Sequence, residues 1–223
     1  MNNKILTIKN LEKKLVNNNA TKVLFSDINL EIEEKEFISI IGKSGCGKTT
    51  LLRILCSLDD NYDGEIYFEN KIKQKPDINI ILMFQDFNQL FNWHTALENI
   101  VIPLLAKSMV KNRTEAIEVA QKFLDEVGLL EYKDFYPQQL SSGMRQRVAF
   151  VRAIALKPKI LLLDEPFSSL DDEVRKEMCI LLKRICEKHQ ITVIFVTHNI
   201  DEAKEMSDKI LLLKDGKLTN LVY

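Results

Sequence analysis

The chain has 223 residues, and its 31 lysines and arginines stand against 32 acids, for a formal net charge of −1. That balance leaves no global basic excess to argue for nucleic acid, so no nucleic-acid partner is expected. Hydrophobic residues make up 46% and charged residues 28%, which excludes a disordered polymer and leaves enough chain for one large α/β domain with a sizeable core.

The first strands are expected at 5–9, 23–32 and 65–68, the last following the turn-forming pair Asp63-Gly64. Residues 37–41 form a continuous apolar run, as in a strand buried on both faces. A helix is predicted over 49–58, with Leu51, Leu52, Leu55 and Leu58 on one face. Residues 78–84 read as a second buried strand. From about Thr95 to Pro158 the pattern is helical. It includes a helix over 114–127 stopped by Gly128 and another over 141–156 ended before Pro158. Strand signals return at 160–163, 192–196 and 209–213, with a helix over 171–188 between the first two. Asp215-Gly216 reads as a hairpin turn. Strands alternating with helices imply a mainly parallel sheet, with a helical lobe inserted in the middle.

No apolar run approaches the roughly 18 residues of a membrane-spanning helix. Met1-Asn2-Asn3-Lys4 runs straight into a strand, so no signal peptide is expected, and any membrane role would come through a partner. The cysteines are Cys46, Cys56, Cys179 and Cys186, with no Cys-x-x-Cys pair. Cys179 and Cys186 are seven apart on one helix face, which reads as buried thiols in a reducing compartment rather than metal ligands.

Gly42-Lys43-Ser44-Gly45-Cys46-Gly47-Lys48-Thr49 has the spacing of a phosphate-binding loop between a buried strand and an amphipathic helix. Its glycines let backbone N–H groups approach phosphate oxygens, and the following helix turns its positive end toward them. Lys48 adds a cation at the β/γ-phosphates, the Thr49 hydroxyl is a candidate Mg²⁺ ligand, and Thr50 continues the same phosphate site. The loop thiol of Cys46 is expected to be reachable when the loop opens to admit nucleotide.

Residues 160–165, Ile-Leu-Leu-Leu-Asp-Glu, form an apolar strand ending in two acids. Ligands of open α/β sheets bind beyond the carboxyl ends of the strands. Asp164 would there hold Mg²⁺ through water, and Glu165 would polarise an attacking water as general base. By itself an acidic strand end is equally an ordinary turn. Leu140-Ser141-Ser142-Gly143-Met144-Arg145-Gln146-Arg147 opens a helix with a serine whose hydroxyl and neighbouring N–H groups suit a phosphate.

With these three motifs in this order, the chain resembles the ABC ATPase family over essentially its whole length. The resemblance implies a single domain over 1–223: a P-loop NTPase (RecA-like) α/β core with an N-terminal antiparallel β subdomain (1–84 and 158–223), and a helical lobe over about 85–157. It implies ATP and Mg²⁺ as ligands, and catalysis by Glu165, His198, Gln85 and Lys48. Gln85 corresponds to the glutamine that senses Mg²⁺ and the attacking water, so Thr49, Gln85 and Asp164 form the implied metal set. Ser169-Leu170-Asp171 corresponds to the segment along the dimer interface, and His198 to the histidine at the γ-phosphate. Ser141, Ser142 and Gly143 would bind the ATP held by the other subunit of a homodimer.

Two positions depart from the family pattern. Ser142 replaces the first signature glycine. Leu15, followed by Val16 and Asn17-Asn18-Asn19, stands where an aromatic residue stacks on adenine. Phe84-Gln85, Leu90-Phe91-Asn92-Trp93 and 143–147 together resemble the importers of nitrate, sulfonate, taurine and related small solutes. That likeness implies an integral membrane permease, a solute-binding protein outside the cytoplasm, and a peripheral station on the cytoplasmic face of the membrane. The permease is expected to dock on 85–93, where Phe87, Leu90, Phe91 and Trp93 cluster, and on the first helix of the lobe, although Trp93 reads equally as a core anchor. The alternatives are an export or lipoprotein-release ATPase, or a soluble non-transport ABC ATPase. The end at Tyr223, soon after the last strand, carries the expectation of no appended regulatory domain.

Overall fold

The computed structural model describes residues 3–17, 20–84, 89–168 and 170–221. Two sheets organise it. The N-terminal hairpin, β1 (Lys4–Asn17) and β2 (Ala20–Glu33), pairs antiparallel with β4 (Asp63–Phe68), which pairs with the short β5 (Lys71–Ile72), in the order β2-β1-β4-β5. The second sheet has the order β10-β9-β3-β8-β7-β6. Its strands β3 (Phe37–Ile41), β6 (Ile80–Met83), β7 (Ile160–Asp164), β8 (Thr192–Thr197) and β9 (Lys209–Lys214) run parallel, and β10 (Lys217–Asn220) returns antiparallel from β9.

Every residue of β3, β7 and β8 is buried, which is why these strands are mostly apolar rather than alternating, with Ser39, Asp164, Thr192 and Thr197 as their buried polar residues. The hairpin is longer than its sequence pattern suggests because bulges interrupt the alternation. The β1–β2 register shifts between Ile8 and Leu11, where Asn10 adopts φ 50°. Gly64 fits against that bulge at φ 103°, and a Cβ there would fall 2.5 Å from the Asn10 carbonyl oxygen.

The helices are α1 (Lys48–Leu55), α2 (Ala96–Ala106), α3 (Arg113–Glu126), α4 (Ser142–Ala155), α5 (Asp172–His189) and α6 (Ile200–Met206). Helices α2 to α4 pack on one another, and α4 reaches back to β6 and α5. Side-chain caps start most of them: Thr95 accepts from Glu98 N–H, Asn112 from Glu115 N–H, Ser141 from Met144 N–H and Asp171 from Val174 N–H. One apolar core lies between α2–α5 and one face of the parallel sheet, and the other lies between the opposite face, α1 and the antiparallel sheet. Among the described residues no helix is long and apolar enough to cross a membrane.

Four expectations change. Helix α1 stops at Leu55, and Leu58 is exposed instead of lining its apolar face. Ser57 at φ 60° reverses the chain, so that Leu58 N–H bonds back to the Arg53 carbonyl at 2.8 Å. The strand expected from Ile78 begins at Ile80, because Asp77 folds a turn by accepting from Asn79 N–H and Ile80 N–H. Leu90 is buried, and Trp93 is 72% exposed and is therefore no core anchor.

Candidate active site

Strands β3, β8 and β7 lie side by side in parallel, with Ile41 opposite Thr197 and Val196 opposite Asp164. Their carboxyl ends therefore release the loop at Gly42, the turn at Glu165 and the turn at His198 on one edge of the sheet, where ligands of open α/β folds collect. The loop over 42–47 feeds into α1 through Gly47. This residue is left-handed at φ 109°, and a Cβ on it would stand 2.9 Å from the Leu24 side chain. Glycine is required there both by the backbone angle and by the hairpin beneath it. No side chain caps α1, so its first N–H groups are available to an anionic acceptor.

Lys48 is buried, and its ammonium group donates to the Gly42 carbonyl at 2.9 Å and the Lys43 carbonyl at 3.3 Å. The same nitrogen lies 3.5 Å from Glu165 Oε1, and the other oxygen of that carboxylate lies 3.1 Å from His198 Nδ1. Glu165 itself sits at φ 45° with its N–H on the Val196 carbonyl at 2.9 Å. A side chain in that region is costly, and such strain gathers where geometry serves a site. The Thr49 hydroxyl hydrogen-bonds the buried Asp164 carboxyl. Burial pushes the Asp164 pKa above its ordinary value, and the charge of Glu165 adds to this. The bond from Thr49 and the charge of Lys48 pull the other way.

A hydroxyl, a buried carboxyl and a glycine-rich loop leading to an uncapped helix start are the oxygen-ligand and phosphate-ligand chemistry that a Mg²⁺-bound polyphosphate takes. Lys43, Ser44 and Gly45 at the loop tip are exposed, as is Thr49, while Thr50 is half-buried. Cys46 is half-buried and packs against the apolar core under the loop. A Cβ on Gly42 would lie 2.8 Å from its sulfur, so the thiol is turned beneath the loop.

The second motif is built differently. Ser141 and Ser142 are exposed at the start of α4, and the neighbouring Gly143 is buried where a Cβ would stand 3.1 Å from Val174. Among the described residues, no hydrogen bond or ion pair joins 141–143 to the loop over 42–50. Leu15 lies on β1 opposite Lys22 and is 41% exposed, on the hairpin whose Leu24 supports Gly47. Gln85, Phe87 and Ser169 lie outside the described residues. The exposed Trp93 stacks near Phe91 and His94, with ring centroids 6.0 and 6.2 Å away.

Asn99 and Gln146 are among the buried polar residues that went unread in the sequence. Asn99 accepts from Phe91 N–H at 2.8 Å and donates to the Phe91, His94 and Thr95 carbonyls, holding the aromatic segment in shape. Gln146 donates to the Pro166 carbonyl at 2.6 Å, tying α4 to the turn that carries Glu165. The available signal was an amide on the inner face of an otherwise apolar helix.

The fold and this site define an ATP-binding cassette. A family model described as ABC transporter matches residues 25–168, and the chain belongs to that family as an ABC-type ATPase. It is 42% identical over 220 residues to the uncharacterized ABC transporter ATP-binding protein MJ0412 of Methanocaldococcus jannaschii, covering 97% of this chain and 81% of that one. It is 39% identical over 194 residues to the nitrate import ATP-binding protein NrtC of Synechococcus elongatus, covering 87% of this chain but only 29% of that protein. Among solved structures, the cassette MJ0796, a dimer in a post-hydrolysis state bound to ADP and Pi, superposes with a TM-score of 0.84 at 34% identity, covering 98% of this chain and all of that one.

Proposed function

We propose that the chain is the ATP-hydrolysing subunit of an importer for a small solute, working as a homodimer that closes over two ATP molecules. The observation that carries this reading is the gathering of Lys48, Thr49, Asp164, Glu165 and His198 at one sheet edge, with Ser141 and Ser142 left outward on α4. Residues 42–50 bind the phosphates through their N–H groups and Lys48. Thr49, Asp164 through water, and Gln85 would hold Mg²⁺, which would neutralise charge on the phosphates. Glu165 takes the proton of the attacking water, and His198 contacts the γ-phosphate while orienting the Glu165 carboxylate. Leu15 covers the base. Ser141, Ser142 and Gly143 complete the site of the other copy, since they share no bond with their own loop and face outward.

The likeness to a nitrate import protein supports import. A separate membrane permease, a solute-binding protein and a station on the cytoplasmic face follow from that reading. The exposed ring of Trp93, held by the Asn99 knot, supports a permease contact at this segment. The solute is chosen by those other subunits.

Glu165→Gln tests the reading. We expect MgATP binding to persist, hydrolysis to fall by about 10²-fold or more, and the protein to run as a dimer on gel filtration with MgATP. A variant that stays monomeric and still releases phosphate overturns the assignment.

A further inference from the structure

Arg175 lies one turn into α5 and reaches the segment that follows Glu165. Its guanidinium donates to the Leu170 carbonyl at 2.7 Å and the Phe167 carbonyl at 3.4 Å. The same group pairs with Glu202 Oε1 at 3.4 Å and with the solvent-facing Asp172 at 2.7 Å. Glu202 is on α6, largely shielded from solvent, and its second oxygen accepts from the Thr197 hydroxyl at 2.5 Å. Thr197 is buried at the end of β8, and its hydroxyl oxygen accepts from Asn199 N–H at 3.0 Å. Asn199 in turn caps α6, accepting from Asp201 N–H at 2.9 Å and Glu202 N–H at 3.4 Å.

His198 is thus bracketed by two residues, Thr197 and Asn199, that are both tied to Glu202. A continuous chain of hydrogen bonds, closed by the Arg175–Glu202 ion pair, runs from Phe167 and Leu170 through Arg175, Glu202 and Thr197 to the backbone of His198. Its two ends are the segment after Glu165 and the imidazole that touches Glu165. We propose that Arg175 and Glu202 form a positioning pair that sets His198 Nδ1 against Glu165 Oε2 and holds Phe167 and Leu170 in step with it. This rests on the reading of Glu165 and His198 given above. A planar guanidinium can satisfy two carbonyls and a carboxylate at once, whereas a lysine cannot reproduce that fork. The contact with Asp172 is solvent-exposed and adds little, while the shielded Glu202 depends on its partner.

The test compares Arg175→Met, Glu202→Gln and the double variant, with Lys188→Met as a control that removes an unrelated ion pair to Glu126. Glu202→Gln keeps the shape and an acceptor for Thr197 while removing the charge that holds Arg175, so it remains informative if Arg175→Met folds poorly. The chain has only three histidines, His94, His189 and His198, so imidazole NMR resolves each. We expect the His198 resonances to move in both single variants toward their positions in Glu165→Gln, with His94 and His189 unchanged in Glu202→Gln. We expect kcat to fall about tenfold with KM for MgATP nearly unchanged, and the double variant to be no worse than either single. Unmoved His198 signals with wild-type kcat, or losses that multiply in the double variant, overturn the pair. The failure of the functional reading is separate: it shows as hydrolysis that survives Glu165→Gln.

Discussion

Lys48 Nζ lies 3.5 Å from Glu165 Oε1, so the buried cation of the glycine-rich loop and the half-buried carboxylate proposed as general base are in contact. A phosphate brought to the loop competes with Glu165 for that ammonium group, and binding is thereby coupled to release of the base. We expect Lys48→Met to weaken MgATP binding by about 10²-fold, because a charge-assisted contact to phosphate is lost. Isothermal titration calorimetry measures this directly, and an unchanged Kd would remove Lys48 from the site.

Asp164 gives a stability prediction. Burial holds its carboxyl above the ordinary pKa, so the folded chain keeps this proton at pH values where the unfolded chain has lost it. Stability from this group therefore falls as pH rises from the unfolded carboxylate value through the raised folded value. Asp164→Asn keeps a partner for Thr49 and removes the charge. Its Tm at pH 7 without nucleotide is expected to rise by ~2–4 °C while hydrolysis is lost, the gain shrinking as the pH is lowered through that window. Thermal melts across pH check it, and a lower Tm at pH 7 contradicts it.

The four cysteines differ in reach. Cys56, Cys179 and Cys186 are buried, and burial pushes the thiols of Cys179 and Cys186 up to about 12. Cys46 is only half-buried, so iodoacetamide should label it first. The adduct has no room beside Gly42 and the core beneath, so the loop must deform and hydrolysis should stop. MgATP should slow labelling, and Cys46→Ser should be active and resistant. Peptide mapping that finds inactive protein with unmodified Cys46 would contradict this.

Leu15 offers surface but no π-face to a base. ATP and GTP should compete for the site within a few-fold of one another, and Leu15→Tyr should tighten ATP binding by about 2- to 10-fold through stacking. A strong preference of the unaltered protein for ATP would mean that another side chain contacts adenine.

Much of the site was legible because its parts are local. The loop over 42–49 announces itself through glycines whose backbone angles no other residue adopts cheaply, and Gly47 at φ 109° bears out that logic. The run over 160–164 reads as a strand buried on both faces because nothing polar interrupts it before Asp164. The helices over 113–126, 142–155 and 172–189 fall within one residue of their expected ends because caps and periodicity act over a few positions. Leu58 and Ile78 were misread for a related reason: a serine at φ 60° and an aspartate turn override apolar spacing, and neither residue type is an obligatory breaker.

The amino-acid sequence by itself determined the order of the main strands and helices, though not the short helix over 200–206 or the strand over 71–72, together with the glycine-rich loop, the acidic strand end and the family likeness, since each is written in neighbours along the chain. Only the tertiary structure decided which strands stand side by side, and so that Lys48, Glu165 and His198 share one contact across gaps of more than 30 residues. It also decided that Trp93 faces solvent while Leu90 does not, that Cys46 turns under its loop, and that Arg175 reaches Glu202. The physical reason is that propensity and periodicity act within a turn or two of helix or strand. Strand adjacency and side-chain direction are settled by burial, where residues distant in sequence compete for the same interior space.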